Sequence, residues 1–483
     1  MCGVAGIVRF VPAGAPPGPD IEDAWLDALD EGIRHRGPDG QGRFRDHATA
    51  PDGSRVHVAL VHRRLSIIDH GGGAQPMVRR GPDGRRIAVV FNGCIYNHRD
   101  LRAELRSSGH GFTTDHSDTE ALAAGIEAWG DRVADRLDGM YAAAAWDSER
   151  TCLLLTRDPA GEKPLYLAPL GPGTLAFAST VPALTACVRF AGGRVRIDPV
   201  GAAMWLKHGY WDRLPLNVLE AQPGATYVID SAGAAERPEP RRRVSPYAPG
   251  APEPHGADVL RQLDAAVASR LEADVPLGCF LSGGVDSSVV AALAQRTLRE
   301  RGQRLRTFHV RMPDAEYDES VFAALVAEHI GSDHEELDCE PRAAEDFRRL
   351  IAQVGLPFGD SSLLPTAWVS RAARRAVTVA LGGDGGDELF GGYDRYRAAA
   401  LLRAHPAARR VLAAAGALLG PALRGRAERA AAAARWRGYF DVLSIFTTPS
   451  MHALLGRGEA ERLMTAGYAG VAEPRDPRRE DFG

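Results

Sequence analysis

VPLGCFLSGGVDSSVVAAL, residues 275–293, decides the fold of the second half of this 483-residue chain. A strand-length apolar run, Val275–Leu281, leads into SGGVDSS, and the segment Ser287–Arg299 continues with helical spacing. Successive glycines let backbone N–H groups approach an anion. Ser282, Ser287 and Ser288 add hydroxyl donors, and the helix that follows presents the positive end of its dipole. These features predict a pyrophosphate cradle. The loop is neither GxxxxGK(S/T) nor GxGxxG, which argues against a kinase-like P-loop and against a dinucleotide site.

Working outward, a helix is expected over Ala257–Leu271 and strands over Arg306–Arg311 and Val377–Leu381. The last of these feeds a second glycine-rich loop, LGGDGGDELFGGY, at 381–393. Strands alternating with helices predict a doubly wound parallel sheet. Beyond it the chain is Ala/Arg/Leu-rich and reads as helix, for example over Ala398–Leu419, with its arginines on solvated surface. Upstream, 236–256 is dense in Pro, Arg and Gly, lacks periodicity, and reads as a linker unable to supply a sheet ladder. The first half differs in kind. Short apolar runs (Gly3–Phe10, Val56–Val61, Ile87–Phe91, Met140–Trp146, Cys152–Thr156, Leu175–Ala178) separated by Gly/Pro/Asp turns predict stacked β-sheets, with helices over Ile21–Ile33 and Thr119–Trp129. Ser117 or Asp118 is the expected cap of the second helix.

Composition bounds the function classes. The chain is 45% hydrophobic and 25% charged, with a net charge of −4, which offers no electrostatic reason for nucleic acid or a membrane surface as partner. No run of roughly 18 apolar residues is present and the N-terminus lacks a signal-peptide pattern, so a cytoplasmic protein is expected. Six scattered cysteines (Cys2, Cys94, Cys152, Cys187, Cys279, Cys339) without a CxxC argue against a disulfide framework and a structural zinc. Of the basic side chains only Lys163 and Lys207 are lysines, so any chemistry that needs a lysine beyond 207 is unavailable.

Cys2 follows the initiator Met and precedes the small Gly3, at the start of a strand. Once Met1 is removed, its own α-amine, with a reference pKa of about 7.7–8.0, can act as general base to the thiol. The dipeptide alone is a weak signal; its context is stronger. RHRGPDG at 34–40, HRRLSIID at 62–69, FNGCIYNH at 91–98, HSDTEAL at 116–122 and RDPAGEKPLY at 157–166 follow in order. This set resembles the glutaminase half of asparagine synthetase, a class II, N-terminal-nucleophile (Ntn) amidotransferase. SGGVDSS and the 381–393 loop resemble the ATP-pyrophosphatase half of the same family.

The resemblance implies an αββα glutaminase domain over 2–212, a connecting segment over 213–256 and a synthetase-like domain over 257–483, α+β joined to α/β. It implies Cys2 as nucleophile and Asn92 with Gly93 as the oxyanion-stabilising pair. Arg64 and Asp118 would hold the glutamine α-carboxylate and α-ammonium, and Leu65, Ser66, Ile67 and Ile68 complete that site. Leu281, Ser282, Gly283, Gly284, Asp286, Ser287, Ser288, Val310, Gly382 and Gly383 would bind ATP, Asp286 and Asp387 would hold Mg2+, and Asp384 would serve adenylate formation. The family usually has glutamate where this chain has Cys94, which predicts weaker glutamine binding.

The implied reaction converts ATP, L-aspartate and L-glutamine to L-asparagine, AMP, diphosphate and L-glutamate, through a Cys2 glutamyl thioester, channelled ammonia and an acyl-adenylate. A homodimer is the assembly the resemblance implies. Family members continue with a segment reading approximately LEVRxPFLD and a KxxLR element, and neither occurs here. Three expectations therefore stand side by side. A separate chain supplies the missing segment; the acceptor is a different carboxylic acid; or the second half retains nucleotide binding alone.

Overall fold

The computed structural model describes residues 1–16, 21–81, 83–232, 235–236, 238–245, 256–311, 318–338, 341–394, 396–397, 405, 411, 444–446 and 448–469. Twelve strands of the first half form two six-stranded antiparallel sheets. The first holds, in spatial order, β10 (Leu219–Glu220), β8 (Tyr166–Gly171), β9 (Thr174–Ala178), β1 (Gly3–Val11), β3 (Arg55–Arg64) and β2 (Gly40–Thr49). The second holds β12 (Arg242–Arg243), β11 (Ala225–Ile229), β7 (Cys152–Arg157), β6 (Gly139–Asp147), β5 (Arg86–Ile95) and β4 (Met77–Arg80). β2 escapes a reading based on apolar runs because GQGRFRDHAT has few apolar side chains; it is the edge strand of its sheet, half-buried and exposed in strict alternation.

The sheets face each other through Val4, Val8, Val58 and Leu60 on one side and Val90, Ala144, Trp146 and Leu155 on the other. Helices cover the outer faces. α1 (Asp23–Ile33) packs with α4 (Val181–Phe190) over the first sheet. α2 (His98–Ser107) and α3 (Asp118–Trp129) place Leu101, Leu122 and Ile126 on Ile87, Val89 and Tyr141 of the second. The result is an αββα sandwich in which β1 and β5, covered on both faces, are buried nearly throughout and read as continuous apolar runs. Ser117 caps α3, its hydroxyl accepting from Glu120 N at 3.4 Å.

The expectation that 236–256 supplies no sheet ladder is corrected. Arg242–Arg243 pairs with Ala225–Thr226 as β12, and Arg241 and Arg242 form ion pairs with Asp131 and Asp135. Prolines 238 and 240 sit just before the strand, and an edge strand needs partners on one side only.

In the second half α6 (Gly256–Arg270), β13 (Leu277–Phe280), α7 (Val285–Glu300), β14 (Arg306–Arg311), α8 (Ser320–Ile330), β15 (Asp333–Asp338), α9 (Ala343–Val354), α10 (Leu363–Ala373) and β16 (Val379–Leu381) alternate. The four strands form a parallel sheet ordered β15-β14-β13-β16. Both faces are covered: Cys279 and Leu281 lie among Val267, Ala291 and Ala323, while Phe280 and Phe308 lie against Ala373 and Val377. Strand order reverses at β13, so the loops after β13 and β16 are adjacent at the carboxyl end of the sheet, where open α/β sheets bind ligands.

Contacts divide the chain into two compact units, 1–195 with 218–356 and 362–383, and 196–217 with 357–361 and 384–483. Within the second, α5 (Pro199–His208) packs on α13 (Arg457–Tyr468), beside α12 (Thr448–Leu455). Lys207, fully buried, donates to Thr448 Oγ1 at 2.8 Å. The short α11 (Gly386–Phe390) also belongs there. The helix expected over Ala398–Leu419 lies, apart from residues 405 and 411, outside the described residues. No helix among the described residues is long and apolar enough to cross a membrane.

Candidate active site

Strand register assembles the first site. β1 and β3 pair with Gly3 opposite Arg63, which sets Cys2 beside Arg64 and Leu65. The Cys2 Sγ accepts from Leu65 N at 3.4 Å and faces Leu65 O at 3.5 Å, and its carbonyl accepts from Arg36 Nε at 2.9 Å. On β5, Asn92 and Cys94 continue the inward phase of Ala88 and Val90. At the end of the sandwich that phase reaches the same pocket. Its lining includes Cys2, Arg64, Leu65, Ile67, Ile68, Asn92, Gly93, Cys94 and Asp118. Ser66 does not line it: buried behind the rim, it donates its N–H to Asp39 Oδ2 at 2.9 Å.

Asn92 is 1% exposed, and its side-chain Nδ2 is buried without a hydrogen-bond partner. Leaving a buried donor unmade costs about 1–3 kcal/mol, so such a group in a pocket beside a thiol is set for an acceptor that arrives with a ligand. Gly93 is required by packing, since a Cβ there would lie 2.0 Å from Met140 O.

Burial governs the pocket's ionisation. It pushes the Cys2 thiol up and lowers the α-amine of Met1 to about 6; the Cys2 charge opposes the latter shift, and Arg36 and Lys163 add to it. A neutral α-amine beside a protonated thiol is the pairing from which a proton can pass from sulfur to nitrogen, and removal of Met1 would leave such an amine on Cys2 itself. Asp118, first residue of α3, is raised to about 6 by burial, although Ile95 N donates to it at 3.2 Å. Burial, and after it Asp118, pushes the Cys94 thiol up to about 12, so Cys94 brings no charge to the position.

The Arg64 guanidinium is engaged by its own loop, donating to Ile68 O at 3.3 Å, Asp69 O at 2.7 Å and His70 O at 3.0 Å. Gln75, Thr119, Met140 and Lys163 also line the pocket and were not singled out from the sequence. Gln75 Oε1 accepts from Phe91 N at 2.6 Å and its Nε2 donates to Thr119 Oγ1 at 3.2 Å. Lys163 is 7% exposed, with Asp158 accepting from its N–H at 3.0 Å and Arg157 donating to its carbonyl at 2.9 Å. The motif RDPAGEKPLY carried the available signal: a Pro/Gly turn whose Arg and Asp clamp the backbone of its lysine.

The second site lies at the sheet's carboxyl end. Gly283 has φ +82°, and a Cβ there would meet Phe322 Cβ at 2.5 Å, so only glycine fits. Ser282 Oγ and Ser287 Oγ are 2.9 Å apart, and Ser282 Oγ accepts from Gly284 N at 3.2 Å; these hydroxyls shape the loop. Ser288 Oγ is buried without a partner. A Cβ on Gly383 would lie 2.8 Å from Ser287 N and 2.9 Å from Asp286 Cβ, so the loops after β13 and β16 touch through backbone. Glycine backbone, an orphaned serine hydroxyl, a helix N-terminus and the half-buried Asp286 carboxylate fit a nucleotide phosphate with a hard cation. Val310 in β14 and Leu281, just past the end of β13, are buried, Leu281 N donating to Phe308 O at 2.8 Å. Gly382 is half-buried at the end of β16. Asp384, exposed, and Asp387, half-buried in α11 with Gly392 packed on its carboxylate, belong to the second compact unit.

Residues 1–237 match the glutamine amidotransferase domain family and residues 258–470 the asparagine synthase family. A Mycobacterium tuberculosis protein, named provisionally as a glutamine-hydrolysing asparagine synthetase, is 37% identical over 420 residues, 83% of this chain and 62% of its own. Bacillus subtilis asparagine synthetase (glutamine-hydrolysing) 1 is 31% identical over 408 residues, 82% and 60% of the two chains. This chain therefore spans less than two thirds of the length of these curated relatives. Likeness to the solved B. subtilis glutamine phosphoribosylpyrophosphate amidotransferase is slight, at 16% identity and a TM-score of 0.36 over 76% of this chain and 97% of that one. With a glutamine amidotransferase domain followed by an asparagine synthase domain, the chain belongs to the asparagine synthetase family.

Proposed function

We propose that the protein is a glutamine-dependent amide synthetase whose acceptor is L-aspartate. The observation that carries the reading is the unpaired, buried Asn92 amide in one pocket with Cys2. With Met1 removed, the Cys2 amine takes the thiol proton and the sulfur attacks the glutamine side-chain carboxamide. Asn92 Nδ2 and the Gly93 N–H stabilise the oxyanion, ammonia leaves, and water then releases glutamate from the Cys2 thioester. Asp118 pairs with the substrate's α-ammonium. Arg64 faces its α-carboxylate with the donors that its loop leaves over. In the second half, backbone N–H groups of the SGGVDSS loop, the Ser288 hydroxyl and the start of α7 cradle the pyrophosphate of ATP while the acceptor carboxylate displaces it to form an acyl-adenylate. Ammonia then attacks the acyl carbon and AMP leaves. Asp286 is the carboxylate of this unit that would hold magnesium, which neutralises charge on the departing pyrophosphate.

The test is aspartate-dependent exchange of radiolabelled pyrophosphate into ATP, with glutamate release measured in the same preparation. The reading requires both, with Cys2→Ala abolishing glutamate release and sparing exchange. Exchange with another acid but not aspartate moves the acceptor; absence of exchange with any acid refutes the synthetase half.

A further inference from the structure

Between α6 and β13 runs a short link, Glu272 to Asp274, that reaches three stretches of the glutamine pocket. Asp274 donates its N–H to Ile67 O at 2.9 Å, and its Oδ2 accepts from Asp69 N at 2.7 Å. The same oxygen meets His116 Nε2 at 2.8 Å, two residues before Asp118. Glu272 Oε1 accepts from Arg99 at 2.9 and 2.8 Å and meets His98 Nε2 at 3.2 Å, just after the FNGCIYN run that carries Asn92. Arg270, last residue of α6, lies 4.2 Å from the Tyr96 ring centroid.

The contact at Asp69 is the most telling. Asp69 has φ +49°, a left-handed conformation that is strained for a non-glycine residue and persists only when its surroundings enforce it. Its carbonyl accepts from Arg64 at 2.7 Å and from Gly73 N at 2.9 Å, its Oδ1 accepts from Gly72 N at 2.7 Å, and its N–H goes to Asp274. The kink that turns three carbonyls onto Arg64 is thus anchored from outside its own loop by one carboxylate, on the segment that leads into β13 and, past it, the phosphate-binding loop.

Resting on the glutaminase reading above, we propose that Glu272–Asp274 is a coupling segment: Asp274 is a positioning residue that holds the Arg64–Gly73 rim for glutamine and links that rim to the SGGVDSS loop. Occupancy of either site then changes affinity at the other by the same factor, as linkage demands.

The experiment uses the full chain. Glutamate release is followed as a function of glutamine, with and without ATP and magnesium, for wild type, Asp274→Ala and Asp274→Asn; Asn keeps an oxygen for the Asp69 N–H but loses the charge. Wild type should change its glutamine KM at least about threefold on adding ATP. Asp274→Ala should raise KM about tenfold with kcat within about twofold and abolish the ATP effect, and Asp274→Asn should fall between. Equilibrium dialysis of ATP, with and without glutamine, should show the reciprocal loss. A wild type without glutamate release refutes the glutaminase reading. A wild type that releases glutamate but lacks the ATP effect, or variants with wild-type KM, refutes the coupling alone. A fall in kcat at constant KM, tracking a lower melting temperature, assigns Asp274 a structural role and overturns it too.

Discussion

Asn92→Ala isolates the feature on which the glutaminase reading rests. The amide is 1% exposed and its Nδ2 has no partner in the free pocket, so removing it breaks no hydrogen bond of that nitrogen. Stability should therefore change by much less than a buried polar deletion commonly costs. In the reaction the same nitrogen acquires an acceptor when the glutamine carbonyl becomes tetrahedral, and losing one such donor costs about a hundred- to a thousandfold in kcat, or roughly 2.7–4 kcal/mol. Because the interaction belongs to the transition state, KM for glutamine should shift little. The assay is glutamate release at saturating glutamine, paired with mass-spectrometric measurement of iodoacetamide labelling at Cys2. Alkylation by displacement forms no oxyanion, so the Cys2 labelling rate should match wild type within about twofold while turnover collapses. A loss of less than about fivefold in kcat, or a loss confined to KM, refutes the role given to Asn92.

One pH dependence follows from Asp118. Its carboxyl, raised to about 6 by burial, is ionised to pair with the substrate's α-ammonium above that pH and neutral below it. Log kcat/KM for glutamine should therefore fall between about pH 7 and pH 5, and the inflection near pH 6 should disappear in Asp118→Asn. Gly383→Ala forces a Cβ to 2.8 Å from Ser287 N, a backbone atom that cannot swing aside, so ATP affinity by equilibrium dialysis should drop at least about fivefold with glutamate release in the absence of ATP unaltered. Arg102, 2% exposed, binds Ser117 O at 3.0 Å, Asp115 O at 3.0 Å and the buried Glu120 at 3.4 Å. Arg102→Leu leaves that carboxylate short of its closer cation, and urea unfolding should show a loss of about 3 kcal/mol.

The sequence by itself determined what depends on neighbours along the chain. Strand-length apolar runs announced β1, β5 and β6, helical spacing announced α3 and α7, and the alternation after residue 257 announced a parallel sheet; SGGVDSS between a strand and a helix carried the expectation of an anion cradle. All rest on short-range backbone geometry, which a few consecutive residues specify. β2 and β12 were hidden for the same reason: one carries little apolar signal, and the other is a two-residue edge that prolines precede. Only the tertiary structure decided how these pieces meet. Cys2 touches Leu65 across 63 positions because β1 and β3 pair in one register, and a slip of one residue would turn every side chain of β1 to the other face. Gln75 and Lys163 enter the pocket through loops whose conformation is set by Phe91, Asp158 and Arg157. Asp274 holds Asp69 from 205 residues away. Such contacts depend on packing between layers, and no local pattern of residues encodes which distant atoms that packing brings within hydrogen-bond reach.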